Sequence, residues 1–191
     1  MYIIYPPDFR ESRLSGDESE RYLRQILIFG DSGQVLLRDA HVFIAGCGGL
    51  GCPIAMYLAA AGVGTLTIVD PDIVSISNLN RQLLHWTSDI GKEKVISAQE
   101  KLSDFNPGIR VSCYGESITQ DTIRTLAQGA DIIIDAVDTM DTRHILNEYA
   151  VMTQKPFIHG AVNGLSGQMM VYVPGKTACL RCLIRDPPKP G

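Results

Sequence analysis

The sequence predicts an α/β fold in which a doubly wound, mostly parallel sheet is covered by helices on both faces. Apolar runs of strand length recur along the chain, the segments between the earlier runs have helical patterning, and a glycine-rich turn follows the first run. The predicted strands are 41–45, 65–69, 109–114, 131–135, 156–159 and 168–173. Such alternation requires right-handed crossovers and brings ligands to the carboxyl ends of the strands.

Helical patterning fills most of the chain between the predicted strands. The predicted helices are about 18–29, 50–61, 91–104, 119–128 and 139–153. Thr119 is placed as the N-cap of the fourth helix, because its hydroxyl oxygen can accept from a free backbone N–H of the first turn. The Asn-Pro-Gly sequence at 106–108 ends the third helix.

The sequence predicts one domain over 1–191, because 191 residues suffice for one core and nothing in the composition suggests two independent cores. We divide it into an N-terminal helical segment to about residue 30, a core at 41–175, and the start of a further region at 176–191. The last six residues are proline-rich and cannot continue a sheet. They are expected to lead into more chain.

Composition narrows the class of protein. Hydrophobic residues make up 45% and charged residues 20%, and the net charge of -4 argues against a nucleic acid partner. The uncharged stretch 41–69 contains six glycines and Pro53, so it is expected to form a buried core and not a membrane span. The N-terminus lacks the basic start and apolar length of a secretion signal, which predicts a cytoplasmic location. The five cysteines are an odd number, and we expect reduced thiols.

A glycine-rich turn lies between the first strand and the second helix, at 46–51. Gly46 permits the tight turn, Gly48 lets the backbone approach a phosphate, and Gly51 lets the helix pack on the strand. The helix N-terminus supplies N–H donors and a partial positive charge to an anion. This strand, turn and helix predict a Rossmann-like nucleotide site.

The second predicted strand ends in Asp70, 19 residues beyond Gly51. An acidic side chain at this distance can accept hydrogen bonds from ribose hydroxyls. A dinucleotide and a mononucleotide fit this pattern equally well.

The residues after Asp70 favour ATP over a nicotinamide cofactor, because they place polar groups and cations beyond the ribose position. Arg81 can grip a phosphate through paired N–H bonds, and Lys94 can add a point charge at the α-phosphate. Either could also be an ordinary surface cation. Asp138 follows another strand and could hold Mg²⁺, although a structural loop aspartate is an equal alternative.

These pieces together resemble the MoeB/ThiF/HesA family, distant relatives of the ubiquitin-activating enzymes. The resemblance extends from Arg21 to about Arg185. It rests on 21–26 (RYLRQI), the turn at 46–51, 70–72 (DPD), 77–82 (SNLNRQ), 91–94 (GKEK), 135–138 (DAVD) and 179–182 (CLRC). Thr139 departs from the pattern, since many members have asparagine there.

The resemblance implies an adenylyltransferase that uses ATP and Mg²⁺ to activate the C-terminal glycine carboxylate of a small ubiquitin-like carrier of the MoaD or ThiS type. Arg24 would reach the neighbouring subunit's ATP, which implies a homodimer. Arg24, Arg81, Lys94 and Asp138 are the candidate catalytic residues. The remaining candidate nucleotide-binding residues are Gly46, Gly48, Gly49, Gly51, Asp70, Asp72, Ser77, Asn78, Leu79, Asn80, Gln82 and Thr139. Molybdopterin, thiamine and thiolated-tRNA synthesis all use this fold, so the carrier is not identified.

Cys179 and Cys182 have the spacing of half a tetrahedral zinc site. In the family a second pair near the C-terminus completes the site, so structural Zn²⁺ is expected in a longer parent chain. A redox dithiol and no special role remain alternatives. Cys47, Cys52 and Cys113 are interpreted as buried packing residues.

Two other functions are weighed against adenylation. An NAD-dependent oxidoreductase would explain the glycine turn and Asp70, but not the polar set that follows them. A non-catalytic ATP-binding subunit would not need the full set of Asn78, Arg81, Lys94 and Asp138.

Overall fold

A computed structural model describes residues 14–184, which form one six-stranded sheet flanked by helices. In chain order the strands are β1 (His41–Ala45), β2 (Thr65–Val69), β3 (Arg110–Tyr114), β4 (Ile132–Asp135), β5 (Phe157–Asn163) and β6 (Ser166–Tyr172). Their order across the sheet is β3-β2-β1-β4-β5-β6. The predicted α/β class with a doubly wound, mostly parallel sheet is confirmed.

The first five strands pair in parallel, and only β5 and β6 pair antiparallel within the described sheet. The strand order reverses beside β1, which lies between β2 and β4. Because the carboxyl ends of these three strands meet at one edge, the segments that follow them are brought together there. This edge is where the sequence predicts a ligand.

Seven helices occur among residues 14–184. They are α1 (Gly16–Arg21), α2 (Leu23–Asp39), α3 (Gly51–Ala61), α4 (Lys94–Phe105), α5 (Ile123–Leu126), α6 (Met140–Met152) and α7 (Leu180–Leu183). No helix in this range is both long and apolar enough to cross a bilayer.

The core lies on both faces of the sheet, because alternate residues of β1 point to opposite sides. Val42 and Ile44 pack with buried residues of α3 and α4. Phe43 and Ala45 pack with buried residues of α5 and α6 on the other side. The predicted covering of both faces by helices is therefore confirmed.

The N-terminal helical segment is longer than the prediction of 18–29. The helix is interrupted at Tyr22, which separates α1 from α2. After that, α2 continues to Asp39 through a kink at Gly30, whose φ is 71°. The Tyr22 hydroxyl accepts a hydrogen bond from Asn106 Nδ2 at 2.8 Å. The predicted end at residue 29 thus coincides with an interruption of the helical backbone at Gly30, and the helical stretch from there to Asp39 is what the apolar pattern did not reveal.

The fourth predicted helix, 119–128, is wrong in extent, because only Ile123–Leu126 is helical. Thr119 Oγ1 accepts from the Thr122 N–H at 3.2 Å, so it caps a turn that precedes the helix. The third predicted helix begins at Lys94 instead of residue 91, since Gly91 has a φ of 89°.

The last two strands form a longer hairpin than predicted. β5 and β6 pair from Phe157 with Tyr172 to Asn163 with Ser166. Gly164 in the connecting turn has a φ of 59°. Residues 1–13 of the predicted N-terminal segment and the proline-rich stretch 186–191 lie outside the described residues.

Candidate nucleotide site

The glycine turn between β1 and α3 is closed by two glycines that tolerate no side chain. Gly46 has a φ of 94°, and a Cβ added there would lie 2.7 Å from the Ala136 carbonyl oxygen. A Cβ on Gly51 would lie 1.9 Å from the Gly46 carbonyl oxygen. These contacts draw the turn onto the start of α3 and against the segment after β4.

Gly48 and Gly49 have a different environment. A Cβ on Gly48 would meet Gln82 Nε2 at 3.7 Å, and one on Gly49 would meet Arg81 Cδ at 3.5 Å, which are ordinary contact distances. The turn therefore faces the Arg81–Gln82 pair that the sequence places in the nucleotide site. Close approach of a phosphate to this backbone stays a prediction.

Asp70 lies buried at the carboxyl end of β2 and is tied to the turn. Its Oδ2 accepts from the Cys47 N–H at 2.7 Å, and its Oδ1 accepts from the Asp72 N–H at 2.9 Å. Each carboxylate oxygen retains a second lone pair, so a bond to a ribose hydroxyl remains compatible with both contacts.

Lys94 reaches the same place from the N-terminus of α4. Its Nζ donates to Asp72 Oδ2 at 2.7 Å and lies 4.0 Å from Asp70 Oδ1. The Lys94 side chain is only 6% exposed, whereas that of Asp72 is 65% exposed. The structure thus brings a buried ammonium group to the carboxyl end of β2, next to the glycine turn.

The segment 77–82 is held by its own hydrogen bonds. Asn78 Oδ1 accepts from the Ser75 N–H at 3.1 Å and so caps a 3-10 turn, Ile76–Asn78. Arg81 Nη1 donates to the Ser77 carbonyl at 3.0 Å and to Asn80 Oδ1 at 3.1 Å. The guanidinium is exposed and keeps further N–H groups for a ligand.

Gln82 is the buried member of this segment, while Leu79 is half-buried. The Gln82 Oε1 atom is inaccessible to solvent and has no hydrogen-bond donor among residues 14–184. A buried amide oxygen without a partner costs about 1–3 kcal/mol. Such a group at the edge of the glycine turn is consistent with a site whose hydrogen bonds are completed by a ligand.

Asp138 and Thr139 follow β4, and both are exposed. Thr139 occupies the N-cap position of α6, and its hydroxyl donates to Thr142 Oγ1 at 2.8 Å. The preceding Ala136 carbonyl lies against Gly46, so the Asp138 segment abuts the glycine turn. An exposed carboxylate there suits Mg²⁺, which prefers oxygen ligands and keeps several waters.

Asp135 orients that segment, a role the sequence interpretation missed. It is fully buried, accepts from the Val137 N–H at 3.1 Å, and lies 2.6 Å from His159 Nδ1. Arg143 Nη2 donates to the Val137 carbonyl at 2.6 Å. An aspartate at the end of an apolar strand could have drawn attention to Asp135. Nothing in the local sequence indicated that it pairs with His159.

Arg24 is not brought to the glycine turn within this chain. It lies exposed near the start of α2 and makes no hydrogen bond in the described range 14–184. Its neighbours Leu23, Leu27 and Ile28 are 53%, 72% and 83% exposed. The predicted contact with a partner subunit's ATP stays a prediction.

Cys179 and Cys182 converge at the start of α7, with a distance of 3.7 Å between their sulfur atoms. Two thiolates about 2.3 Å from one tetrahedral zinc ion would lie about 3.8 Å apart, so this pair fits half of such a site. Burial raises the pKa of Cys179, but hydrogen bonds from Cys182, Arg181 and Asn147 together outweigh this effect and lower the pKa overall.

Cys47 and Cys52 are buried, as expected of packing residues, but the structure adds His85 to them. His85 Nε2 lies 3.7 Å from Cys52 Sγ and 3.1 Å from the Cys47 carbonyl oxygen. The hydrogen bond with Cys47, aided by His85, lowers the pKa of Cys52 to about 5 despite burial, while that of Cys47 is raised. Burial alone raises the pKa of Cys113 to about 12.

Comparison with protein families decides which group of proteins this arrangement represents. The profile of the ThiF family matches residues 22–191. The chain belongs to the ThiF family. The resemblance found in the sequence motifs is therefore confirmed, and it extends over nearly all described residues of this ThiF-family chain.

Similar proteins include longer enzymes. The chain is 42% identical over 181 residues to the adenylyltransferase and sulfurtransferase MOCS3 of Culex quinquefasciatus, covering 94% of this chain and 41% of that protein. It is 40% identical over 187 residues to MOCS3 of Mus musculus, covering 97% of this chain and 41% of that protein. This ThiF-family chain thus spans about two fifths of the length of these relatives.

Solved structures have the same fold. E. coli MccB, crystallised with AMPCPP and MccA, matches with a TM-score of 0.78 and 30% identity over 88% of this chain and 53% of that chain. E. coli tRNA N6-threonylcarbamoyladenosine dehydratase, TcdA, in complex with ATP matches with a TM-score of 0.76 and 28% identity, covering 80% of this chain and 63% of that chain.

Proposed function

We propose that this chain is the nucleotide-binding part of an ATP-dependent adenylyltransferase that activates the C-terminal glycine carboxylate of a small ubiquitin-like carrier protein. Support comes from the ThiF-family match, from relatives named as adenylyltransferases, and from similar structures crystallised with ATP or AMPCPP. Because this chain spans only part of those proteins, the argument depends on its own site residues.

The observation that carries the proposal is the buried ammonium of Lys94 beside the glycine turn. Desolvation of an ammonium ion costs several kcal/mol, and at Lys94 the carboxylates of Asp70 and Asp72 offset part of that cost. A phosphate at the N-terminus of α3 would give Lys94 an anionic partner on its turn side. A nicotinamide cofactor would leave the segment 77–82 without a role.

The reaction follows from the charges. The carrier's carboxylate oxygen attacks the α-phosphorus of ATP, the bond to the bridging oxygen of the β-phosphate breaks, and pyrophosphate leaves. Lys94 and Arg81 neutralise charge that develops on the phosphate oxygens, and the turn amides hold the phosphates in line. No protein nucleophile is needed, because the substrate carboxylate supplies the attacking atom.

Asp138 is the residue that would hold Mg²⁺ on the phosphates. Its carboxylate is exposed, follows β4 at the carboxyl edge of the sheet, and makes no ion pair within the described part of the chain. When bound, the metal would neutralise phosphate charge and favour pyrophosphate as a leaving group. The bonds of Asp135 to Val137 and His159 fix the backbone that carries Asp138.

We further propose a homodimer in which Arg24 reaches the partner's ATP. Leu23, Leu27 and Ile28 surround Arg24 with exposed apolar surface, which is expected of an interface and not of a solvated helix. The carrier's Gly-Gly tail would pass along β5 at His159, Gly160 and Ala161. Zn²⁺ on Cys179 and Cys182 would be structural and would need two further ligands.

Pyrophosphate exchange tests the proposal. Radiolabelled pyrophosphate should enter ATP when the full-length protein is mixed with Mg²⁺ and a carrier ending in Gly-Gly. Asp138→Ala should reduce exchange by about 100-fold or more. Asp141→Ala removes an exposed carboxylate one turn later in α6 and is the matched control, with exchange near the normal rate.

Two results would redirect the interpretation. ATP binding without exchange for any carrier would favour a non-catalytic subunit or an acid that is not a protein. Quenching or enhancement of NADH fluorescence on mixing, with no ATP binding, would favour the oxidoreductase alternative.

A further inference from the structure

A buried cluster of two thiols and one imidazole lies beneath the glycine turn, and the proposed adenylation does not use it. Cys47 belongs to the turn, Cys52 to the first turn of α3, and His85 to the segment between β2 and α4. The exposed fractions of the three residues are 0%, 0% and 3%. One sulfur or nitrogen atom from each lies within 4.8 Å of the other two.

The ring of His85 is oriented from its far side. Its Nδ1 lies 3.0 Å from Ser97 Oγ, which lies 3.4 Å from the Leu84 carbonyl oxygen and so can donate to it. Ser97 Oγ also accepts from Lys101 Nζ at 3.1 Å, so its hydroxyl can donate to His85 Nδ1 while the ring proton lies on Nε2. Metal-binding histidines commonly have this arrangement, with one nitrogen hydrogen-bonded and the other directed at the ion.

The other ring nitrogen faces both cysteines. His85 Nε2 lies 3.1 Å from the Cys47 carbonyl oxygen and 3.7 Å from the Cys52 sulfur, which itself lies 3.3 Å from that carbonyl oxygen. An ion bound to this nitrogen and to the two sulfurs would take the place of the protons that these atoms hold between them.

The donor set indicates which ion fits. Thiolate sulfur selects soft ions such as Cu(I) and Zn²⁺, and imidazole binds both. Structural zinc takes four ligands, whereas the cluster found among residues 14–184 offers three. We propose that Cys47, Cys52 and His85 form a three-coordinate site for a thiophilic monovalent metal ion, Cu(I), beneath the nucleotide-binding turn.

Binding would connect the ion to the nucleotide site. Any proton on the Cys47 and Cys52 sulfurs leaves for solvent as the sulfurs bond to the metal, and the His85 proton moves to Nδ1, where Ser97 Oγ accepts it, so that Nε2 can bond to the metal. Cys47 also donates its N–H to Asp70, so the ion would fix the backbone between the turn and the end of β2. The site therefore lies where occupancy would stiffen the turn.

The test needs a background without the exposed cysteine pair, because Cys179 and Cys182 could bind the same ion. We would titrate the Cys179→Ser, Cys182→Ser protein with Cu(I) under anaerobic conditions, in competition with a chromophoric Cu(I) chelator. The expected result is one Cu(I) retained per chain. X-ray absorption should then show two sulfur neighbours and one nitrogen neighbour.

Variants locate the bound ion. Adding Cys52→Ala should abolish retention of the single Cu(I), whereas Cys113→Ala, which removes another largely buried thiol, should leave it unchanged. If Cys52→Ala fails to fold, the number of sulfur and nitrogen neighbours in the Cys179→Ser, Cys182→Ser protein still decides whether the site exists.

The site would be overturned if no copper is retained against the chelator, or if the neighbour count lacks two sulfurs. A four-coordinate Zn²⁺ bound in preference would overturn the assignment to a monovalent ion. Neither outcome bears on pyrophosphate exchange.

Discussion

The carboxylate of Asp70 accepts a hydrogen bond from the backbone N–H of Cys47 at 2.7 Å across a separation of 23 residues. This bond joins the end of β2 to the glycine turn after β1, so the residue proposed to bind ribose also shapes the turn proposed to bind phosphate. The second oxygen of Asp70 holds Asp72, whose side chain pairs with Lys94. The buried side chain of Asp70 therefore influences three parts of the proposed site: the ribose position, the glycine turn and the position of the Lys94 ammonium.

Asp70→Asn should damage both stability and ATP binding. An amide has only one acceptor oxygen, so its NH₂ group would face one of the two backbone donors that Asp70 now satisfies. The free energy of unfolding in urea should fall by about 1–3 kcal/mol, and calorimetry should show weaker ATP binding. Asp141→Asn is the control, because the side chain of Asp141 is exposed and lies at the start of α6, away from the glycine turn. Equal stability of the two variants would contradict this account.

Two glycines of the turn should respond differently to the same added methyl group. Gly51→Ala places a Cβ 1.9 Å from the Gly46 carbonyl oxygen, so the backbone must move and the turn should lose its structure. Gly48→Ala meets nothing closer than 3.7 Å and should keep a melting temperature within a few degrees of normal. It should nevertheless weaken ATP binding, because the methyl group occupies the phosphate position. Unimpaired ATP binding by Gly48→Ala would show that phosphate does not approach there.

The sequence predicted the parts of this structure that local patterns determine. Apolar runs located every strand of the described sheet, and the spacing of Gly46, Gly51 and Asp70 indicated residues that the structure brings together as a candidate site, because both are properties of neighbouring residues. The helical stretch after Gly30 and the short extent of α5 were missed, since the start and the end of a helix depend on tertiary contacts. Pairings between distant residues were also missed.

The pairing of Asp135 with His159 and the approach of His85 to two cysteines illustrate that limit. Each joins residues on different strands or loops, 24 residues apart in one case and 33 in the other. A single sequence contains no local trace of such contacts. Residue type suggests which side chains can bind one another, but only the order of strands in the sheet determines which of them meet.

Lys94→Gln should abolish most activity and leave the protein folded but less stable. The variant removes the buried ammonium beside the buried carboxylate of Asp70, so the free energy of unfolding should fall by about 3 kcal/mol, while the exposed Asp72 side chain can turn to solvent. Pyrophosphate exchange should fall by about 100- to 1,000-fold if the ammonium neutralises the α-phosphate. Lys92→Gln is the matched control, because its amine pairs with Glu100 at 2.8 Å and Asp89 at 3.5 Å and not with Asp70 or Asp72. Similar losses in both variants would point to a general effect of charge.

Acidic pH should lower the free energy of unfolding, partly through the buried carboxylate of Asp89. Burial would raise the pKa of Asp89, but hydrogen bonds from Lys101 at 2.5 Å and from the Trp86 N–H at 2.8 Å hold it well below its usual 3.8. A carboxyl with a lowered pKa stabilises the fold fully above its unfolded pKa, and this contribution is lost as pH falls toward the folded value. The free energy of unfolding should therefore decline below about pH 5.

Asp89→Asn separates this contribution from those of other carboxyls. At pH 7 the variant should be less stable by about 3 kcal/mol, because Lys101 loses its buried partner. The difference between parent and variant should shrink at pH 3. Glu100→Gln, which removes an exposed partner of Lys92, should change stability little at either pH. A difference for Asp89→Asn that stays constant with pH would contradict the linkage.

Asp135→Asn tests whether a fully buried carboxylate positions Asp138. The substitution weakens the 2.6 Å contact with His159 and the ion pair with Arg143, so stability should fall by about 3 kcal/mol. Because Asp135 also holds the Val137 N–H, the segment bearing Asp138 should shift. The apparent Mg²⁺ requirement of pyrophosphate exchange should then rise along with the loss of rate.

Gln168→Ala is the matched control, since it removes the partner of His159 Nε2 at 3.1 Å and leaves every bond of Asp135 in place. Its Mg²⁺ requirement should stay normal. A loss of stability in Asp135→Asn with an unchanged Mg²⁺ requirement would limit Asp135 to a structural role. A raised Mg²⁺ requirement would instead mean that the hydrogen bonds behind β4 and β5 set the position of the metal-binding carboxylate.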